Sequence, residues 1–189
     1  MKTTLMGLIG GLAVIFLVTI AVHFDGPAIS AENYPAPDAQ EVWEYMQEKN
    51  YTEWQSIPGY PGIFGKTNAE SPHGAFLKLH LNDVAIFSLQ KDFEEMIHRS
   101  MFVMENFSKD DDETPEFVTV QYKYEGYSPD GGDWFWAQYE PDGTVINAGK
   151  VESCIQCHSQ TDYKDYLLVV PDQKIWEPSP PVGATGGGL

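Results

Sequence analysis

The sequence predicts an α+β domain, mainly β, built on an antiparallel sheet of about five strands with a few short helices, one of them carrying Cys154-Ile155-Gln156-Cys157-His158. Three observations predict it. Ala75 to Leu81 alternates apolar and polar with period two. Met101–Asn106, Phe117–Glu125 and Asp133–Tyr139 are rich in β-branched and aromatic residues. Asp130-Gly131-Gly132 and Pro141-Asp142-Gly143 supply hairpin and turn signals beside these runs.

The chain opens on an apolar stretch. From Leu5 to Val22 there is no charge and Thr19 is the sole hydroxyl, so residues 1–31 read as a signal peptide or an N-terminal membrane anchor. The length favours an anchor, and the small residues Ala28, Ser30 and Ala31 favour cleavage. Lys2 is the only basic residue before Lys49, which puts everything after Val22 outside, in the periplasm or on the outer face of the cytoplasmic membrane.

With the N-terminal segment set aside roughly 155 residues remain, which suits a single core, and residues 32–177 form one domain. Asp38 is an N-cap with Glu41 three residues on, opening a helix to about Lys49 with Val42, Tyr45 and Met46 on its apolar face. From Ile57 to Pro72 the density of Pro and Gly predicts an irregular loop pinned by Tyr60, Ile63 and Phe64, able to wall a cofactor. In the strand that follows, Ala75, Leu77, Leu79 and Leu81 share one face and Phe76, Lys78 and His80 the other. Asn82-Asp83 caps a helix running towards Met96, and Lys109–Glu113 is a solvated acidic loop between strands. Trp134 and Trp136 fall on one face of their strand and Phe135 on the other, as core and sheet packing. Residues 178–189, Pro- and Gly-rich without periodicity, read as a flexible tail.

The net charge of −17 belongs to the domain, because residues 1–31 hold one Lys and one Asp. Such a surface repels phosphate backbones and anionic headgroups, so nucleic-acid binding is disfavoured and the membrane is met only through the N-terminal segment. Cationic partners, a redox protein among them, are favoured.

Both cysteines of the chain lie in one Cys-x-x-Cys-His motif, the attachment signal of haem c. Cys154 and Cys157 add to the haem vinyl groups and His158 ligates the iron. A thioredoxin-like pair would want a βαβ setting, and a zinc half-site a further Cys/His pair. Export agrees with the motif, because covalent haem c is made outside the cytoplasm. The sixth position of the iron decides between electron transfer and ligand chemistry, and Met46, Met96, Met101, Met104, His73, His80 and His98 are its candidates. His73, between Pro72 and Gly74, reads first as a residue that holds a turn.

From about Trp54 to Tyr166 the chain resembles the cytochrome P-460 family, which shares its fold with the cytochromes c-prime-beta. The residues that carry the likeness are Ser71-Pro72-His73-Gly74, Leu81-Asn82-Asp83-Val84-Ala85, Tyr122-Lys123-Tyr124-Glu125-Gly126-Tyr127, Asp133-Trp134-Phe135-Trp136, Ala148-Gly149-Lys150 leading into Cys154–His158, and Asp165-Tyr166. The resemblance implies a mostly antiparallel β domain, often paired as a homodimer, with His158 as proximal ligand and an open distal side. It also implies two departures. Met104 stands where P-460 enzymes carry the lysine cross-linked to the haem, and Thr119 stands at the approximate place of a catalytic carboxylate. A two-residue slip in register would bring Gln121 to the pocket instead, and Lys123 is a weaker substitute for the missing amine.

The expected function is therefore an exported monohaem cytochrome binding nitric oxide or a related nitrogen oxide, with Cys154, Cys157, His158, Met104 and Thr119 around the cofactor. A hydroxylamine-oxidising oxidoreductase and a simple electron carrier are the alternatives, the first requiring a cross-linked haem and the second a sixth ligand.

Overall fold

The computed structural model describes residues 34–65, 72–91, 93–160 and 164–168. The N-terminal segment and the tail, with what the sequence predicts of them, lie outside the described residues. Among those described, no helix is long and apolar enough to cross a membrane.

Six strands form one antiparallel meander in the order β1-β2-β3-β4-β5-β6: Ile63–Gly65, Phe76–Leu81, Met101–Phe107, Phe117–Lys123, Trp134–Tyr139 and Val145–Gly149. Among the described residues three α-helices accompany them, α1 (Ala39–Glu48), α2 (Asp83–Gln90) and α3 (Glu152–Ser159). The predicted α+β, mainly β class is what the chain adopts, with one strand more than expected.

Register places the site residues that the sheet contributes. In β3 against β4, Met104 faces Thr119 and Phe102 faces Gln121; in β4 against β5, Gln121 faces Trp136. Because side chains alternate across a sheet, the odd positions of β3 (Met101, Val103) with Val118, Val120, Tyr122, Phe135, Ala137 and Tyr139 make one core under α1, into which Val42 and Met46 insert. The opposite face gathers Leu79, Leu81, Phe102, Trp134 and Trp136 with Ala85, Ile86 and Leu89 of α2. This second face carries the cleft described below.

Local signals explain the helix starts. Asp38 accepts from the backbone N–H groups of Gln40 and Glu41, and Glu41 Oε2 reaches back to Ala36 N at 3.0 Å. Asn82 caps α2 by accepting from Ala85 N at 2.9 Å, and the same oxygen takes Met101 N at 3.0 Å, joining the start of α2 to the start of β3.

Two expectations are corrected. Ile57–Pro72 is not wholly irregular, since Ile63–Gly65 pairs with Phe76–Lys78 as β1. Pro and Gly delimit this three-residue edge strand rather than forbid it. The helix opened by Asn82 stops at Gln90 instead of running to Met96; a helix that reached Met96 would need its N–H for an intrahelical carbonyl, and that N–H is taken by the carboxylate of Asp165 at 2.6 Å.

Candidate haem site

The helix α3 places Cys154, Cys157 and His158 at i, i+3 and i+4, on one side of the helix. All three line a cleft between α3 and the sheet. Its sheet wall is Leu79, Phe102, Met104, Phe117, Thr119 and Trp136.

His158 is held from behind. Its Nδ1 lies 2.8 Å from the carbonyl oxygen of Tyr166, so the ring donates there and the neutral imidazole carries its lone pair on Nε2. The ring packs on Trp136, centroids 4.6 Å apart at 60°. Burial pushes its pKa down to about 4, the Tyr166 carbonyl opposing and His73 adding to the shift, so the imidazole is neutral at pH 7. Burial likewise pushes the Cys154 thiol up.

The fit of a haem to these residues rests on three features. The two thiols and the imidazole share one cleft, and neither cysteine is in a disulfide. No residue of α3 is buried, so an eight-residue helix stands on the cleft with little packing of its own. In the opposite wall, Trp136 is 4 % exposed and its indole N–H has no acceptor. A planar, largely apolar group bonded to both thiols would give α3 the contact surface it lacks. Among the described residues no three His, Cys, Asp or Glu side chains converge to hold a metal ion.

The sequence-predicted residues separate cleanly. Met104 and Thr119 both reach the cleft, as does Gln121, whose Nε2 lies 3.4 Å from the Tyr166 carbonyl. Of the candidate sixth ligands, His73 and Met104 line it. Met46 and Met101 belong to the core on the other face of the sheet. His80 is bonded there to Glu105 at 2.8 Å. His98 accepts from Glu125 N at 3.0 Å, and Met96 is buried within the cleft-side core without lining the cleft. Lys123 does not line the cleft either, its Nζ lying 2.8 Å from Asp165.

Sequence reasoning gave no role to Tyr166, Asp165 or Asn106, and it read Trp136 as packing. Tyr166 acts through its backbone carbonyl, which carries no residue-type signature. Asn106 could have been suspected as an amide in a strand whose other residues, Glu105 apart, are apolar; it is 0 % exposed and its Oδ1 lies 3.1 Å from His73 Nδ1.

No curated protein matches the chain. The family model of cytochrome P-460 matches residues 48–169, a span that takes in the whole sheet, the cleft and α3. With that match over more than half its length, the chain belongs to the cytochrome P-460 family and is a haem-binding cytochrome.

Proposed function

We propose that this protein is an exported monohaem c-type cytochrome that binds nitric oxide or a related small nitrogen oxide. Cys154 and Cys157 carry the haem covalently, and His158, fixed in orientation by Tyr166, ligates the iron. When bound, the haem supplies an iron with a position for a small ligand. The chain's own contribution is the cleft wall. Leu79, Phe102 and Phe117 exclude water and charged solutes, and Thr119, which accepts from Asn106 Nδ2 at 3.3 Å, keeps its own O–H to donate. The acidic surface favours a cationic redox partner.

The observation that carries this reading is Met104 on the cleft wall, paired with Thr119 across β3 and β4. A thioether forms no amine cross-link to haem, and a hydroxyl is no general base at neutral pH. The site is thus equipped to bind rather than to oxidise. Absorption spectra of the haem protein, oxidised and reduced, with and without nitric oxide, test it. An ordinary reduced c-type spectrum that changes on adding nitric oxide is expected; a strongly red-shifted ferrous Soret band would assign the hydroxylamine-oxidising chemistry instead.

One observation favours a second reading, the electron carrier. The rings of His73 and His158 are 6.4 Å apart, centre to centre, at 79°. Both imidazoles line the cleft, and His73 would then be available beside His158 to hold a bound iron. A low-spin, six-coordinate spectrum indifferent to nitric oxide would select this reading, and His73→Ala would then open the site.

A further inference from the structure

Lys123 and Asp165 make a buried ion pair, with side chains 8 % and 4 % exposed, and neither lines the cleft. Lys123 Nζ is 2.8 Å from both carboxylate oxygens and 2.8 Å from the Gly132 carbonyl, above the Trp134 ring. Asp165 also accepts from Met96 N at 2.6 Å, and from Trp134 Nε1 through its carboxylate at 3.2 Å and its carbonyl at 3.1 Å. Strands β4 and β5 and the segment after α2 therefore converge on one residue. Buried ion pairs contribute little net stability, so this much convergence points to a use in fixing a conformation.

The conformation fixed is unusual. Asp165 (φ 49°, ψ 51°) and Tyr166 (φ 64°) are consecutive left-handed residues, which side chains disfavour. Gly132 at φ 65° makes room, because a Cβ there would strike the Tyr166 ring. The product of the turn is a Tyr166 carbonyl aimed at His158 Nδ1, 2.8 Å away.

We propose that the Lys123–Asp165 pair is a positioning device for the proximal histidine: it holds the left-handed turn that presents the Tyr166 carbonyl to His158, and so sets how strongly His158 donates to the metal. The proposal rests on the reading of His158 as the iron ligand. A hydrogen bond from Nδ1–H makes the imidazole more basic, and a more basic ligand favours ferric over ferrous iron. Releasing the turn weakens the bond and raises the reduction potential.

The test is a spectroelectrochemical titration of the full-length haem protein and of Asp165→Asn, Lys123→Met and the double variant Lys123→Met/Asp165→Leu. Direct electrostatics would move the single variants in opposite directions, because Asp165→Asn removes a negative charge and Lys123→Met a positive one. The positioning role moves both upward. The double variant, free of any unpaired buried charge, should regain thermal stability yet keep the upward shift, about tenfold in the oxidised-to-reduced ratio or about 59 mV for one electron. If the single variants fail to fold, the double variant carries the measurement. Opposite shifts in the singles, or a parental potential in the double, overturn the proposal. His158→Ala separates the two failures: an unchanged haem spectrum there sinks the ligand reading and this inference with it, whereas a lost ligand with unmoved potentials in the other variants sinks the inference alone.

Discussion

The side-chain oxygen of Asn106 lies 3.1 Å from Nδ1 of His73, joining the end of β3 to the loop that enters β2. The other half of the amide is equally committed, with Nδ2 donating to the carbonyls of Met104 at 2.8 Å and Phe117 at 3.2 Å and to Thr119 Oγ1 at 3.3 Å. Asn106 is thus the buried polar centre through which one rim of the cleft is tied to its wall.

Replacing that centre with an isosteric apolar side chain strands several buried partners at once. Asn106→Leu should lower stability by about 1–3 kcal/mol, the usual cost of an unsatisfied buried group. Urea unfolding of the haem protein measures it. A variant as stable as its parent would mean that the amide's bonds contribute nothing net.

Gly74 sits beside this centre, and a Cβ there would lie 2.6 Å from the carbonyl oxygen and 2.7 Å from the nitrogen of Phe107. Both are backbone atoms of a paired strand and cannot swing aside. Gly74→Ala should therefore cost about 1–3 kcal/mol as an overpacked contact. A thermal midpoint equal to that of the parent would show that the loop yields instead.

How much of this was legible in the sequence follows from how local each signal is. Strands β2, β3, β4 and β5 carry alternating or β-rich runs because each buries at least one face, and they were read nearly to the residue. The edges escaped for opposite reasons. In β6, Val145 and Ile146 are 41 % and 43 % exposed, so no core-facing pattern marks the strand, and β1 is three residues inside a Pro- and Gly-rich stretch. The overrun of α2 has a similar cause, since no Gly or Pro stands between Gln90 and Met96 to mark its stop.

The Cys-x-x-Cys-His motif was readable because five consecutive residues hold it. Its support was not, because Lys123 and Asp165 are 42 positions apart and only the sheet brings them together. Their pairing also shows why residue type misleads. A lysine near a haem reads as a nucleophile, and here its ammonium is spent on a carboxylate and a carbonyl.

Met104 gives a prediction that separates wall from ligand. Met104→Leu conserves volume and shape closely, so stability should change by less than about 1.5 kcal/mol. If the thioether is wall, the resting and reduced spectra and the nitric oxide affinity stay as they were. If the reduced spectrum of the parent loses a six-coordinate signature on this substitution, Met104 is an axial ligand and the binding site is not open.

On the face of the sheet away from the cleft, Glu105 gives a prediction in pH. Burial alone would raise its carboxyl, but the hydrogen bond and charge of His80, with Lys78 at 3.7 Å and the Tyr51 hydroxyl at 3.4 Å, more than reverse this and hold it below its ordinary value. A carboxyl depressed by folding binds fewer protons in the native state than in the unfolded chain. Stability therefore rises with pH between the depressed native value and the unfolded value of about 4.3, and is fully present above the latter. Glu105→Gln keeps the shape and removes the charge. It should cost about 1.5–3 kcal/mol at pH 7, the range for a hydrogen bond to a charged group. The gap between parent and variant should close as pH falls from about 5 towards the native value, because the parent then loses what the variant never had. Unfolding free energies of the two proteins across that range measure the gap. If the two curves run parallel down to low pH, the carboxylate is not what His80 stabilises, and the cluster is held by packing alone.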